Sequence, residues 1–330
     1  MSERPLFPGL AFSTSWNWRG SESGERIADE ILGLGFRAVE LNYRITRRMV
    51  DEILPYVERG ELEVASVHNV FPAVDDPRFD TDSRMLGWRD PSLRARAVEL
   101  AVASAEAGRE LGAKALVVHP GVAPHDETGA GLSCRDGFAY DEELKRRWRE
   151  GGPDSTAYRE LFDEFRSYRR RGMAQELARI RQSLEEIAEA LARRGNAIAI
   201  GLENRPMCFQ VPDLEEMGYL LDGLEGARIG IWFDTGHGAI MRHMGFYDDR
   251  EMAKRFFARL VGVHIHDVRG VDDHFAPYLG EGLDPYLDLI RAAPIKVLEL
   301  GPKNEREDVL EGTRRLSAAL GALGALGALQ

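Results

Sequence analysis

Short apolar runs rich in β-branched residues recur along the chain. They occupy residues 9–13, 37–42, 62–68, 114–120, 197–204, 228–234, 260–266 and 295–300. Between them lie segments such as GERIADEILGLG and ELARIRQSLEEIAEALARRG, whose apolar residues are spaced three and four apart, as on one face of an α-helix. The pattern therefore predicts eight strands that alternate with helices.

This alternation also indicates how the strands are arranged. Strands that are apolar along nearly their whole length are typical of a parallel sheet that is buried on both faces. Eight βα units in about 250 residues, plus insertions, are what a (β/α)8 barrel requires. A doubly wound open sheet is the alternative, but no glycine-rich phosphate loop follows any early strand. We predict a single (β/α)8 TIM barrel that spans residues 1–330.

Two segments depart from the repeat. Residues 125–172 form a charged insertion between the fourth strand and its helix, too long for a simple connection. We expect one or two short helices that form a lid, although a solvated excursion without function fits the composition equally well. Residues 320–330, LGALGALGALQ, are a low-complexity tail that we expect to fray after the last helix.

Composition narrows the class of protein. The 330 residues are 44% hydrophobic and 30% charged, as in globular proteins with a substantial core. The chain shows neither a signal-peptide pattern nor an apolar stretch of the ~20 residues that a membrane span needs. Its two cysteines, Cys134 and Cys208, form no disulfide framework. We therefore expect a soluble, cytoplasmic protein.

The net charge bears on the partner. At −12, it provides no general attraction for nucleic acid, although a metal cluster can create a local positive site on an acidic protein. We expect a small-molecule substrate rather than nucleic acid or a membrane. The sequence leaves the oligomeric state open, and a homo-oligomer is compatible with it.

Ligand-type side chains stand at or near the ends of six consecutive predicted strands. They are His68, His119, Glu203, Asp234, His264 and Glu299. The carboxyl ends of the strands meet at one mouth of a barrel, where this fold carries its active site. A lone histidine at a strand end is usually a hydrogen-bonded structural residue. So many carboxylates and imidazoles in one mouth, however, need a cation to offset repulsion and desolvation.

The motifs around these residues resemble those of the xylose isomerase-like TIM-barrel superfamily. The matching segments are HPG at 119–121, EN at 203–204, DTGH at 234–237, HIHD at 264–267, DDH at 272–274 and GEG at 280–282, together with the strand-eight glutamate. The resemblance covers all eight units. This superfamily includes sugar and sugar-phosphate isomerases and epimerases, and also apurinic-site nucleases of the endonuclease IV type.

In the isomerase branch, the resemblance implies a site for one divalent ion. Its ligands would be Glu203, Asp234, His264 and Glu299. The two glutamates would also exchange a proton beside a carbonyl, while the cation stabilises the enediolate oxygen. His264 and His266 share one face of the strand. The superfamily's His-x-x-Asp spacing selects His264, which leaves His266 as a substrate contact or a neighbour of the ligands.

In the nuclease branch, the resemblance implies a three-metal cluster. The additional ligands would be His68, His119, His237, Asp272 and His274. The chain keeps all nine ligand types, so the resemblance is compatible with one to three ions of Mn, Mg, Zn or Fe. However, HNVFPAV, ENRPMCF and HIHD stand where the nucleases usually read HA-x-YLIN, ENTAG and HLND. We therefore expect a metal-dependent sugar or sugar-phosphate isomerase or epimerase, with an endonuclease IV-like phosphoesterase as the alternative.

Four further side chains are candidates for holding the substrate. Arg205 and Arg269 are suited to anchoring a hydroxyl or a phosphate, and Trp16 and Phe71 to packing against a sugar. An alternative phosphate site lies after the second strand, at Arg44, Arg47 and Arg48.

Overall fold

Eight parallel strands close into a barrel at the centre of the protein. The computed structural model describes residues 6–19, 22–123 and 134–327. Barrel strands one to eight are Ala11–Ser13, Ala38–Leu41, Glu63–His68, Ala115–Val118, Ala199–Glu203, Ile229–Asp234, Leu260–Ile265 and Lys296–Leu298. Each strand falls within a range that the apolar pattern predicts, and the (β/α)8 TIM barrel expected from the sequence is confirmed.

Helices connect the strands and cover the outside of the barrel. The α-helices are Gly24–Gly33, Arg47–Glu58, Pro91–Glu110, Cys134–Gly151, Thr156–Arg169, Met173–Arg193, Leu214–Leu221, Thr235–His243, Asp249–Arg255, Leu287–Ala292 and Arg306–Gly327. Several begin at a side-chain cap: Ser23, Thr46 and Asp90 each accept a hydrogen bond from a backbone N–H of the first turn. No helix in the described part of the chain combines the length and the apolar character of a membrane span.

One large side chain fills the lower part of the barrel interior. Trp232 is fully buried and packs among small residues, namely Ala11, Ala115, Val117 and Val297. Glycines on the neighbouring strands make room for it, because a Cβ at Gly262 would lie 2.4 Å from Cζ3 of Trp232 and one at Gly201 would lie 2.8 Å from its Cβ. The tryptophan therefore forms a solid floor beneath the carboxyl ends of the strands.

The insertion after strand four contains two helices, Cys134–Gly151 and Thr156–Arg169; residues 125–133 lie outside the described residues. These helices pack on the loops of strands five to seven through an apolar cluster of their own. Its buried members are Val122, Leu144, Tyr158, Leu161, Phe165, Cys208, Phe209, Ala239, Ile240, Met244, Val268 and Val271. The insertion is thus a packed layer beside the mouth of the barrel.

Two short antiparallel ribbons complete the mouth. Gly121–Val122 pairs with Gln210–Val211, and Asp267–Arg269 pairs with Asp272–Phe275. At the other end of the chain, the last helix continues through most of the low-complexity repeat to Gly327, and residues 328–330 lie outside the described residues.

Candidate metal centre and active site

Polar side chains occupy the barrel interior just above the Trp232 floor. Side chains alternate along a strand, so a residue two positions beyond an interior residue points into the same interior, nearer the carboxyl end. This step leads from Gly201, Trp232 and Gly262 to three of the predicted ligands, Glu203, Asp234 and His264. The same step leads from Val297 to the fourth, Glu299.

These four residues form one compact group. One ligand atom from each of Glu203, Asp234, His264 and Glu299 lies within 4.8 Å of all the others. Nδ1 of His264 is at the centre, 3.1 Å from Oε1 of Glu203, 3.1 Å from Oε2 of Glu299 and 3.7 Å from Oδ2 of Asp234. Glu203, Asp234 and His264 have no exposed side-chain surface, whereas the side chain of Glu299 is 9% exposed. Glu299 is therefore the member of the group that solvent reaches.

The environment keeps the carboxyl groups of Glu203 and Asp234 ionised. Burial raises the pKa of Glu203, but Arg205, His264 and His119 lower it by more than burial raises it. The pKa of Glu203 is therefore well below its usual value. Burial also raises the pKa of Asp234, and His237 and His266 more than offset it, which leaves the pKa at about 2. The site therefore holds ionised carboxylates in a region with little water, where positive groups are needed to offset their charge.

A second group shares Glu203 with the first. Nε2 of His119 lies 2.8 Å from Oε2 of Glu203, and Nε2 of His68 lies 3.4 Å from the same oxygen. The other ring nitrogen of each histidine, Nδ1, lies beside a different oxygen. Nδ1 of His68 is 3.2 Å from the carbonyl of Asn69, and Nδ1 of His119 is 3.1 Å from Oδ1 of Asp82. Both histidines thus direct Nε2 towards one carboxylate oxygen.

A third cluster contains His237, His266 and His274, with ligand atoms again within 4.8 Å of one another. Nδ1 of His237 is 3.1 Å from the carbonyl of Asn204, and Nδ1 of His274 is 3.0 Å from the carbonyl of Glu299. Nε2 of His237 is buried and has no hydrogen-bond partner. His237 therefore presents a free ring nitrogen to the interior of this cluster.

His266 differs from its two neighbours because both of its nitrogens are engaged. The backbone N–H of His274 donates to Nδ1 of His266 at 2.9 Å, and Nε2 lies 2.9 Å from Oδ1 of Asp234. Burial lowers the pKa of His266 and Asp234 raises it, to about 9 overall, but the N–H aimed at Nδ1 occupies the place of a second proton. We therefore describe His266 as a ring protonated on Nε2 that donates to Asp234, with no lone pair left for an ion.

The structure does not bring Asp272 to this cluster. Its carboxylate is exposed and pairs with Arg149 of the insertion, at 2.6 Å from Nη2. Asp273, the next residue, is less exposed. Burial raises the pKa of Asp273, but His274, His237 and His266 lower it by more, so the net shift is downward. The exposed pair with Arg149 does not support Asp272 as a ligand of this cluster.

The predicted substrate contacts divide into two pairs. Arg205 lies in the site, with Nη1 3.1 Å from Oε2 of Glu203 and a buried Nε that has no partner. Trp16 follows strand one at the mouth, half-buried, and its Nε1 donates to the carbonyl of Asn304 at 2.9 Å. Arg205 thus lies against a candidate ligand, and Trp16 lies at the mouth.

The other two predicted contacts lie elsewhere. Phe71 is 1% exposed and packs in the main core, where its backbone N–H donates to Ser104. Arg269 is exposed, donates to the carbonyl of Leu279 and lies over the ring of Phe275 at 4.5 Å. The structure therefore supports neither residue as a substrate contact: Phe71 has no free surface, and the guanidinium of Arg269 is engaged by Leu279 and Phe275.

Sequence reasoning missed three residues that the site contains. Glu40 is fully buried on strand two, and both of its carboxylate oxygens lie beside Nε2 of His264. Oδ1 of Asp82 accepts from Arg205 at 3.1 Å as well as from His119. Tyr43 packs its ring 5.3 Å from that of His68, and burial, with Asp82, raises the pKa of its phenol. An acidic residue inside the apolar run RAVELN was a signal for Glu40; Asp82 and Tyr43 lie in loops and gave none.

The donor set fits a divalent cation. Carboxylates and imidazoles suit Mn, Mg, Zn or Fe, and in such sites the second ring nitrogen of a ligand histidine usually donates to an oxygen. Here five histidines show that arrangement: His68, His119, His237, His264 and His274. The partnerless Nε2 of His237 is a further ligand atom of the kind such a site requires.

Comparison with known proteins assigns the family. The profile of the family described as xylose isomerase-like TIM barrel matches residues 28–318. The chain belongs to this family. The resemblance in its motifs is thereby confirmed, while no curated protein matches the chain significantly.

Solved structures with the same fold include members of both branches. A D-tagatose 3-epimerase-like protein superposes with a TM-score of 0.66 at 18% identity, covering 96% of this chain and 98% of its own. The 3-keto-D-glucoside 4-epimerase from E. coli superposes with a TM-score of 0.61 at 15% identity, and the match covers 94% of this chain and 99% of the epimerase. Endonuclease IV from Thermus thermophilus superposes with a TM-score of 0.57 at 16% identity, and the match covers 96% of this chain and 100% of the nuclease. At these identities, the likeness shows the fold alone.

Proposed function

We propose that the chain is a divalent-metal-dependent isomerase or epimerase of a small sugar or sugar phosphate. The observation that carries this proposal is the placement of two glutamates, Glu203 and Glu299, each 3.1 Å from Nδ1 of the same histidine, His264. Isomerisation beside a carbonyl removes a proton from one carbon and returns a proton to the same or a neighbouring carbon. Two carboxyl groups that face one position suit that exchange.

The two glutamates have different surroundings and hence different roles. Glu299 is at the solvent side of the group and has no arginine within ion-pairing distance among the described residues, so we assign it as the base that takes the proton from the substrate carbon. Glu203 is fully buried and in contact with Arg205, which favours its ionised form. An ionised Glu203 has no proton of its own to give, so we assign it the transfer of the substrate's hydroxyl proton to the neighbouring carbonyl oxygen. Glu299 returns to carbon the proton that it took.

The ion would be held by Glu203, Asp234, His264 and Glu299. When bound, it supplies positive charge that stabilises the negative charge developing on the substrate oxygen. Arg205 contributes a second positive charge and a free Nε donor for a hydroxyl or a phosphate. Trp16 and Tyr43 place aromatic surface at the same mouth, which suits the apolar face of a sugar ring.

A second candidate function is phosphoester hydrolysis. The observation that favours it is the group of His68, His119 and Glu203, since it shares a carboxylate with the first group, as ligands do between paired ions. Paired ions can activate water and hold a phosphoryl group together. Asp272, which the resemblance to nucleases implied as a ligand, is bound by Arg149 instead, so the full nuclease set is not assembled.

A direct comparison of substrates tests the proposal. Purified protein loaded with Mn²⁺, Mg²⁺, Zn²⁺ or Fe²⁺ is incubated with ketoses, aldoses and their phosphates, with small phosphoesters, and with an abasic-site oligonucleotide. We expect interconversion of at least one sugar, lost in Glu299→Gln. Silence on the sugars together with incision of the oligonucleotide, abolished by His119→Ala, would replace the isomerase by the nuclease. Turnover of small phosphoesters alone would favour the second candidate.

A further inference from the structure

Glu40 and His264 face each other across the interior of the barrel. Glu40 is on strand two and His264 is on strand seven, 224 residues later. Nε2 of His264 lies 3.0 Å from Oε1 and 3.1 Å from Oε2 of Glu40, and neither side chain has any exposed surface. Strands one and eight lie between these two strands in the barrel, so the contact spans the lumen rather than a strand pair.

This contact determines which nitrogen of His264 is free. A carboxylate that receives Nε2–H fixes the proton on Nε2 and leaves the lone pair on Nδ1. Nδ1 is the atom that lies 3.1 Å from both Glu203 and Glu299. The orientation that Glu40 selects is therefore the one that directs the ligand atom towards the other three members of the group.

Glu40 is itself fixed in place. Oγ of Ser66, on the adjacent strand three, donates to Oε2 of Glu40 at 2.7 Å, and the two residues are partners in the strand register. Ser13 on strand one is the register partner on the other side. A carboxylate held by a rigid sheet on one side and by a histidine on the other cannot turn to solvent, so it orients the ring with little freedom.

A buried carboxylate at this position needs a reason beyond stability. Replacing a buried ion pair by apolar side chains of similar volume is often neutral or stabilising. In metal sites, by contrast, a carboxylate that receives the second N–H of a ligand histidine orients the ring and raises its basicity. His264 and His119 have such a carboxylate, in Glu40 and Asp82, whereas His68 and His274 use backbone carbonyls. Nδ1 of His237 lies beside the carbonyl of Asn204 and, at 3.2 Å, Oε1 of Glu203.

We propose that Glu40 is a positioning residue that sets the tautomer and orientation of His264 for binding the ion at Glu203, Asp234, His264 and Glu299. The inference rests on the metal dependence in the proposed function. It adds a residue that touches neither substrate nor ion and that acts through His264 alone. Its consequence is a specific loss of metal affinity, with turnover impaired only as far as the ion is lost or misplaced.

The test measures the binding of Co²⁺ to the full-length, metal-free protein. Dissociation constants come from calorimetry, and the visible absorption bands of Co²⁺ report its ligand geometry. The variants are Glu40→Met, which removes the acceptor, and Glu40→Gln, which retains an oxygen for Nε2–H but loses the charge. Glu176→Gln, which changes a buried carboxyl on the helix Met173–Arg193, is the matched control. Circular dichroism checks that each variant is folded.

We expect Glu40→Met to weaken Co²⁺ binding by about 10- to 100-fold and to shift the visible bands, with a smaller loss in Glu40→Gln. The control should keep the affinity and the spectrum of the unaltered chain. If Glu40→Met does not fold, the same comparison is made with Glu40→Gln. A folded Glu40 variant with unchanged affinity and bands would overturn the inference while leaving the metal-dependent function intact. An unaltered protein that isomerises a sugar without any divalent ion would instead overturn that function and the inference with it.

Discussion

Nε2 of His266 donates to Oδ1 of Asp234 at 2.9 Å, although His266 lies among the histidines that have the geometry of metal ligands. The backbone N–H of His274 donates to the other ring nitrogen of His266, Nδ1. His266 thus supports a ligand carboxylate, whereas His264, two residues earlier on the same face, directs a free nitrogen into the group. The two histidines of HIHD have different tasks because of their partners.

The first prediction separates these two histidines. We expect His264→Ala to lose the ion held with Glu203, Asp234 and Glu299, because the variant removes a ligand atom at its centre. His266→Ala should keep that ion, because it removes only a hydrogen bond to Asp234. Metal analysis of both purified variants, loaded and dialysed side by side, measures the difference. Loss of metal in His266→Ala with retention in His264→Ala would mean that the tautomers are reversed.

The second prediction concerns the two glutamates. Glu203→Gln and Glu299→Gln should each lower kcat by at least about 100-fold, since a carboxamide neither accepts nor returns the proton. We expect the fold to persist in both variants, as measured by circular dichroism and thermal melting. Metal content distinguishes the two positions: Glu203 lies in both ligand groups, so its variant should lose more metal than the Glu299 variant. Full turnover by either variant would contradict its catalytic assignment.

The fold was predictable because its signal is local. Each barrel strand is a short apolar run bounded by polar residues, and the carboxyl ends of parallel strands must meet. The candidate ligands Glu203, Asp234 and His264 were found by the same rule, since a polar side chain that ends a buried strand points into the mouth, and the resemblance to the family selected His264 over His266. The alternation of side chains along a strand therefore carried the prediction from sequence to site.

The remaining features depend on contacts that no local pattern contains. Glu40 meets His264 from 224 residues away, and Asp82 meets His119 across a loop. Asp272 matched a ligand motif in type and spacing, yet Arg149 of the insertion binds it on the outside. These outcomes depend on which side chain across the fold competes for a carboxylate, and spacing along the chain does not report that competition.

The third prediction tests the tryptophan floor beneath the site. Gly262→Ala should destabilise the protein by about 1–3 kcal/mol, because its Cβ would meet the ring of Trp232 inside a closed barrel that has little room to relax. Gly226→Ala is the control, since nothing lies within 4 Å of the Cβ that it adds. Urea unfolding of both variants gives the free energies. Equal stability of the two would show that the floor is less tightly packed than the distances indicate.

The fourth prediction concerns the helix Cys134–Gly151 of the insertion. Its Trp148 covers Gly270, and Nε1 donates to the carbonyl of His243 at 2.9 Å. Trp148→Ala should therefore loosen the ribbon that carries His274, which hydrogen exchange measures as faster amide exchange over residues 267–275. Arg146→Ala, on the exposed side of the same helix, is the control and should leave that exchange unchanged. Equal exchange in both variants would show that the ribbon is held without the insertion.

The last prediction is a dependence of stability on pH that arises away from the site. Glu176 is 1% exposed, its Oε1 has no hydrogen-bond partner, and burial raises its pKa although Arg179 opposes the rise. A carboxyl whose pKa is raised on folding binds its proton more tightly in the folded state, so its ionisation costs stability as the pH rises through the folded pKa. Below the pKa that Glu176 has in the unfolded chain, the carboxyl group is protonated in both the folded and the unfolded state, and this cost is absent.

Glu176→Gln should therefore stabilise the protein at pH 8 by about 1 kcal/mol. This gain should shrink as the pH falls towards the pKa of a free glutamate side chain. Glu185→Gln is the matched control, because Glu185 is half exposed on the same helix and pairs with Arg181 at 3.0 Å. Urea unfolding of the two variants and the unaltered chain at several pH values measures the effect. A gain that is the same at every pH would show that the amide acts through packing, and a loss at pH 8 would show that the ion pair with Arg179 outweighs the burial of Glu176.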